Sequence, residues 1–294
     1  MATLLQFIFV SALWGGSFLF MRIAGPELTP IPLIFLRVTI GGLFLLPFCL
    51  IQGHLPEIKS QWNKASVLGL TSAALPFSLL AYTTIRTSAG HGAIINSTAP
   101  FFTALVAWIW LKNKLKPLQI LGLVLGFLGV FYLVKDKTTI NSTHGIHAII
   151  AGLMATFLYG FSVNYMKKYL SESKPMVVTT ISQLSASLIL MPFAFWLWPA
   201  HPISLVAWGC VLALGIGTTA IAFVVFYQLI GKMGPSKAIV VTFFIPIFGM
   251  LWGWLFLNEK ISFVMILATG IILFGSALSL ELIKKKNTIG VRQI

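Results

Sequence analysis

Arg37 sits in the run Leu33-Ile-Phe-Leu-Arg37-Val-Thr-Ile, a single guanidinium among aliphatic and aromatic side chains. Such a group presents a planar fork of donors that suits carboxylates and phosphates. Two readings follow. Arg37 anchors an anionic ligand, or its long side chain reaches out of the apolar run to pair with Glu27 or helix-terminal carbonyls. Other polar groups in similar surroundings are Ser17, His91, Asn96, Asn164, Gln183 and Gln228. His91, in Ser88-Ala-Gly-His91-Gly-Ala, either titrates near neutral pH against a ligand or is a packed, satisfied side chain. The amides either stitch helices together or face a polar cavity. Trp14, Tyr82, Tyr159 and Tyr227 form either a wall around an organic ligand or ordinary packing and interfacial contacts.

The six acids are Glu27, Glu57, Asp136, Glu172, Glu259 and Glu281, all in polar links or at the ends of apolar stretches. No carboxylate pair, H-E-x-x-H or G-x-S-x-G is present, so the converging groups that an active site requires are missing and no enzyme is expected. His144-Gly-Ile-His147 has no firm third ligand, and no metal or cofactor is expected. Asn141-Ser-Thr matches a glycosylation acceptor, relevant only in a eukaryotic secretory route.

Ten apolar stretches must carry these residues: about 4–24, 30–52, 65–85, 88–111, 115–134, 146–167, 175–198, 203–230, 234–257 and 261–282. A bilayer crossing takes about 20 apolar residues at roughly 1.5 Å each. With 58% hydrophobic residues, 9% charged and a mean hydropathy of +0.95, a soluble domain is excluded. The expected fold is an all-α membrane protein of ten transmembrane helices, monomeric or a homodimer, in contact with the lipid bilayer. The first stretch has no basic start and reads as a retained span.

The net charge of +14 is a matter of topology. With the N-terminus inside, the inner links and tail hold Lys59, Lys64, Lys112, Lys114, Lys116, Lys167, Lys168, Lys174, Lys232, Lys237, Lys284, Lys285, Lys286 and Arg292. The outer side holds only Arg22, Arg86, Lys135, Lys137 and Lys260. This bias predicts both termini in the cytoplasm. No contiguous basic groove exists, and no nucleic-acid partner is expected.

The chain also repeats itself at an offset of 145–146 residues. Trp14, Gly15, Ser17, Met21 and Arg22 align with Tyr159, Gly160, Ser162, Met166 and Lys167. Pro30, Pro47, Tyr82 and Pro100 align with Pro175, Pro192, Tyr227 and Pro246. Leu-Lys-Asn-Lys-Leu at 111–115 answers Leu-Asn-Glu-Lys-Ile at 257–261. Five spans per unit is an odd number, so the units enter the membrane in opposite directions, an arrangement suited to alternating access. The expected organisation is a first five-helix repeat at 1–134, a linker at 135–145, a second repeat at 146–282 and a basic cytoplasmic tail at 283–294. Pro100 and Pro246 are expected to kink their helices at matched sites, as hinges or as fixed bends.

Four segments carry a family resemblance. Trp14-Gly-Gly-Ser-Phe with Arg22, Phe35-Leu-Arg37, Pro100-Phe-Phe-Thr-Ala-Leu-Val-Ala-Trp-Ile-Trp-Leu, and Pro246 with Leu257-Asn-Glu-Lys resemble the ten-helix, EamA-like members of the drug/metabolite transporter superfamily. Lys112-Asn-Lys114 departs from the pattern, which often has an acid beside a base there. The resemblance implies a transporter in the inner membrane of a bacterium, moving a small molecule through a cavity between two halves. It points first to an amino acid or derivative, and alternatively to drug efflux or exchange of nucleotide-linked metabolites. A driving cycle on a buried carboxylate is not expected, because no acid lies in mid-membrane.

Overall fold

The computed structural model describes residues 2–134 and 145–280; the acids at 136 and 281, the N-x-S/T site, His144 and the basic tail lie outside the described residues. The described chain is helical throughout, without strands. Ten long helices follow one another among the described residues, with a single helical turn, Pro235–Ala238, before the ninth: α1 Ala2–Leu28, α2 Pro30–Ile51, α3 Leu55–Arg86, α4 Ala89–Leu111, α5 Pro117–Val134, α6 Gly145–Tyr169, α7 Pro175–Trp196, α8 Leu205–Met233, α9 Val241–Leu257 and α10 Phe263–Ser279. The first eight are long and apolar enough to cross a membrane, and α9 and α10 are shorter and equally apolar. Their outward faces carry exposed apolar side chains such as Ile109, Phe193, Leu205 and Phe263, which suits contact with lipid.

Helix starts follow local chemistry. Pro30, Pro117 and Pro175 take the first helical position, where a missing N–H costs nothing. Ser88, Ser204 and Ser262 cap α4, α8 and α10, each hydroxyl accepting an N–H at 3.1 Å. Within the spans, hydroxyls such as Thr39, Ser72 and Thr84 donate to the carbonyl four residues back, so polar side chains ride in apolar helices with their own partner.

Two helices are wound unevenly. Residues Gly69–Ala74 of α3 and Ala213–Ile221 of α8 adopt the wider π-helical winding, with the Leu75 and Ala222 N–H groups reaching five residues back. α4 is broken at Ser97–Thr98, where both hydroxyls return to carbonyls three residues earlier. Pro100 is therefore the second residue of a new helical segment, Ala99–Leu111, whereas Pro246 lies inside α9. The prolines match in sequence but stand in different helical contexts, one just past a break and the other within a continuous helix.

α2 and α7 run antiparallel, joined at Thr39–Ser187 (2.6 Å), Cys49–Thr180 (3.3 Å) and the Phe35–Phe195 ring contact (5.9 Å). α3 leans on α7, where a Cβ on Gly69 would lie 2.9 Å from the Ser182 carbonyl. α8 leans on α2, where a Cβ on Gly215 would lie 2.6 Å from Ile40 Cβ. α1 lies between α8 and α9, and α6 between α3 and α4. α5 and α10 pack on each other, with Gly122 and Gly275 giving backbone approach. Both G-x-x-x-G segments, at 122–126 and 249–253, thus face neighbours in the same chain.

α4 and α9 end alike. Lys112 and Asn258 each have φ of 53°, and the following N–H groups bond Ala107 and Gly253 carbonyls at 3.2 and 3.1 Å. This is a left-handed cap that suits Asn better than Lys.

Candidate functional site

Arg37 is drawn inward. Its side chain is 5% exposed, and its Nε donates to Thr219 Oγ1 at 3.0 Å. Thr219 belongs to the wide segment of α8 and itself donates to the Leu214 carbonyl five residues back. The guanidinium carbon lies 4.1 Å from the centre of the Phe77 ring in α3. Tyr159 of α6 meets Phe77 edge-on at 6.3 Å. Four helices, α2, α3, α6 and α8, therefore converge on one cation.

No carboxylate is within ion-pair distance of it among the described residues, where Arg22–Glu259 is the only salt bridge. Glu27 is taken by Ser204, whose N–H and hydroxyl each lie 2.7 Å from a carboxylate oxygen. Both outward readings of Arg37, snorkelling and pairing with Glu27, give way to a buried cation. Burying an uncompensated charge is expensive, and the stacked ring and one hydroxyl offset only part of that cost.

A second aromatic group gathers around Trp14. Trp14 of α1 meets Phe223 at 5.7 Å and Phe226 at 4.9 Å, and Tyr227 stacks on Phe223 at 6.0 Å while its hydroxyl bonds Thr179 Oγ1. Phe223 follows Phe77 by 146 residues, and Tyr159 follows Trp14 by 145. The Phe77–Tyr159 and Phe223–Trp14 contacts are thus repeat-related pairs.

The remaining sequence candidates are dispersed. Ser17 is buried in α1, and its repeat partner Ser162 donates to Thr71 at 2.9 Å. Gln183 is buried against α2, where its Oε1 accepts no hydrogen bond among the described residues. Asn164 is a stitch, donating to Thr103 and Gly160 carbonyls at 2.9 and 2.8 Å and fastening α6 to α4. His91 is buried in the first turn of α4, 2.7 Å from the capping Ser88 hydroxyl. Tyr82 stands under Arg86 near the same end, and Asn96 is half-buried just before the α4 break. Gln228 is exposed at the opposite end and bonds Gln6 at 3.0 Å, away from Arg37.

Sequence reasoning missed Phe77, Thr219 and Phe223. The repeat could have found the two phenylalanines; Thr219 carries no sequence signal beyond its hydroxyl.

Among the described residues no group of three His, Cys, Asp or Glu could hold a metal. The groups around Arg37 are hydrogen-bond donors and aromatic faces.

The EamA-like transporter family matches residues 1–135 and 146–280. An uncharacterized transporter of Archaeoglobus fulgidus is 26% identical over 85% of this chain and 88% of its own length. The uncharacterized transporter YvbV of Bacillus subtilis is 24% identical over 97% and 92%. The uncharacterized inner membrane transporter YedA of Escherichia coli is 24% identical over 90% and 86%. One solved crystal structure superposes over 97% of this chain and 99% of its own with a TM-score of 0.66 at 17% identity, a likeness of fold. The chain belongs to the EamA-like transporter family and is a multi-pass membrane transporter of the drug/metabolite type.

Proposed function

We propose that the protein carries an amino acid or derivative across the inner membrane of a bacterium by alternating access between two inverted halves, 1–134 and 146–282, with both termini cytoplasmic. The observation that carries this reading is the buried Arg37, without a carboxylate partner among the described residues, facing rings and a hydroxyl from both halves. A substrate carboxylate supplies the missing counter-charge, and the Phe77–Tyr159 and Phe223–Trp14 pairs cover its side chain. Phosphate would meet the same fork, so nucleotide-linked compounds belong in the comparison.

The inverted relation is supported by α2 and α7, which the repeat equates and which run antiparallel. It is supported too by Gly15 against Phe248 and Gly160 against Phe102, equivalent contacts about 145 residues apart. Inverted repeats around a midplane site permit the halves to exchange shapes.

Among the described residues the acids, Glu27, Glu57, Glu172 and Glu259, all lie at helix ends or in links. Counterflow of labelled amino acid in proteoliposomes is therefore expected to persist when the proton gradient is collapsed. The assay runs a panel of amino acids, nucleotide-linked metabolites and cationic drugs, with and without an ionophore. Strict dependence on an imposed pH difference contradicts gradient-free exchange, and counterflow only of cationic drugs removes Arg37 as a substrate anchor.

A further inference from the structure

Glu259 does not simply end α9. Its two carboxylate oxygens accept the Ala89 and Gly90 N–H groups at 3.0 and 3.4 Å, in the first turn of α4. Arg22 of α1 approaches the same carboxylate at 3.8 Å and donates to the carbonyls of Thr84 and Ile85 at the end of α3. One acid from the second half thus gathers α1, α3 and α4 of the first. The bonds are charge-assisted and meet the positive end of a helix, so they hold more firmly than an exposed ion pair.

The other end of the bundle is built differently. The repeat pairs Glu259 with Asn113 and Arg22 with Lys167, so the corresponding acid is missing. The packing follows the same asymmetry. α9 packs on the first segment of α4, but among the described residues Ala99–Leu111 makes no comparable packing with the turn Pro235–Ala238 or with α9. α1 packs on Leu75–Arg86, but α6 makes no comparable packing with Ala222–Met233.

We infer that Glu259, Arg22 and the α4 N-terminus form a latch that holds this end of the pathway shut and must release before it can open. The inference rests on the alternating-access reading for its role in transport, but the latch itself is a property of the empty protein. Glu259 and Arg22 are positioning residues, and neither is among the groups that hold Arg37. The ties between the halves at the other end, Gln6 with Gln228 and Lys232, and Glu57 with the Lys174 N–H, are all exposed, so the half-buried Glu259 cluster holds its end the more firmly.

The test uses the full chain with Cys49→Ala and Cys210→Ala, in proteoliposomes. Thr84→Cys places a reporter that is fully buried beneath the latch. Glu259→Gln is expected to raise its labelling by a water-soluble maleimide about tenfold or more, the loss of charged hydrogen bonds to backbone. Glu259→Asp, which keeps the charge, falls between the two.

A second variant locks the latch without touching the acid. A Cβ on Gly90 would lie 3.1 Å from Met250 Cγ and 3.6 Å from Met250 Cα, within reach of a disulfide. Oxidised Gly90→Cys/Met250→Cys is expected to stop counterflow and protect Thr84→Cys, and reductant restores both. Unchanged labelling in Glu259→Gln overturns the inference, and so does full counterflow by the oxidised double variant. Absence of counterflow in the parent chain counts against the transport reading alone, since labelling still decides the latch.

Discussion

Arg37→Met is expected to lower counterflow by about 100-fold or more while leaving the protein at least as stable as before. The two outcomes have opposite causes. For transport, the guanidinium supplies the charged donors that meet the substrate anion, and each such hydrogen bond is worth about 1.5–3 kcal/mol. For stability, Arg37 is a buried cation with no carboxylate near it among the described residues, held by Thr219 and the face of Phe77. Replacing buried charge by an apolar side chain of similar volume is often neutral or stabilising by about 1–4 kcal/mol. Arg37→Lys keeps the charge but gives up the planar stack and the Nε donor, so it should retain only part of the activity. Counterflow and thermal unfolding of the same preparations check both. A Met variant that transports normally removes Arg37 from the substrate site, and one that unfolds early makes its role structural.

Gly160→Ala has the reverse signature, a loss of the folded protein. A Cβ there would lie 2.5 Å from the carbonyl carbon of Phe102, with Phe102 O and Thr103 N both at 2.7 Å. All three obstacles are backbone, so no side chain can turn aside and α6 must move away from α4. That movement also strains the Asn164 bond to the Thr103 carbonyl. Overpacking of this kind costs about 1–3 kcal/mol. Gly15→Ala meets the equivalent contact, 2.5 Å from Phe248 Cβ and 3.0 Å from Gly249 N. Gly270→Ala is the control: nothing lies within 4 Å, and alanine favours the helix by up to about 1 kcal/mol. Thermal midpoints should fall in the first two and hold or rise in the third. Equal midpoints in all three sink the close-approach argument.

Ten helices were legible because a bilayer imposes length and apolarity together. Where the sequence is polar this reading stops short. Residues 55–64, with Glu57, Lys59 and Lys64, read as a link but form the first turns of α3, since a helix can continue beyond the apolar layer. The uneven winding of α3 and α8 left no mark in the pattern, because π and α turns use the same side chains. Within the site, Arg37 was conspicuous as a lone charge, but its direction was not, since a long side chain reaches either way. Packing settled it through Phe77 and Thr219, neither of which differs from many other phenylalanines and threonines here. Asn164 and Gln228 show the same limit. Both are amides in apolar spans, but one fastens two helices and the other lies exposed beside Gln6.

The wide turn in α3 has a consequence for the register of the chain. Each residue added to or taken from a helix swings everything beyond it by about 100°. Deleting Ala74 would let that stretch tighten into an ordinary spiral at little cost to the backbone. The tighter winding returns about the angle that the lost residue takes away, so Phe77 would keep its place over the guanidinium. The wide turn is a store of slack, holding one amino acid that the bearing of the ring does not need.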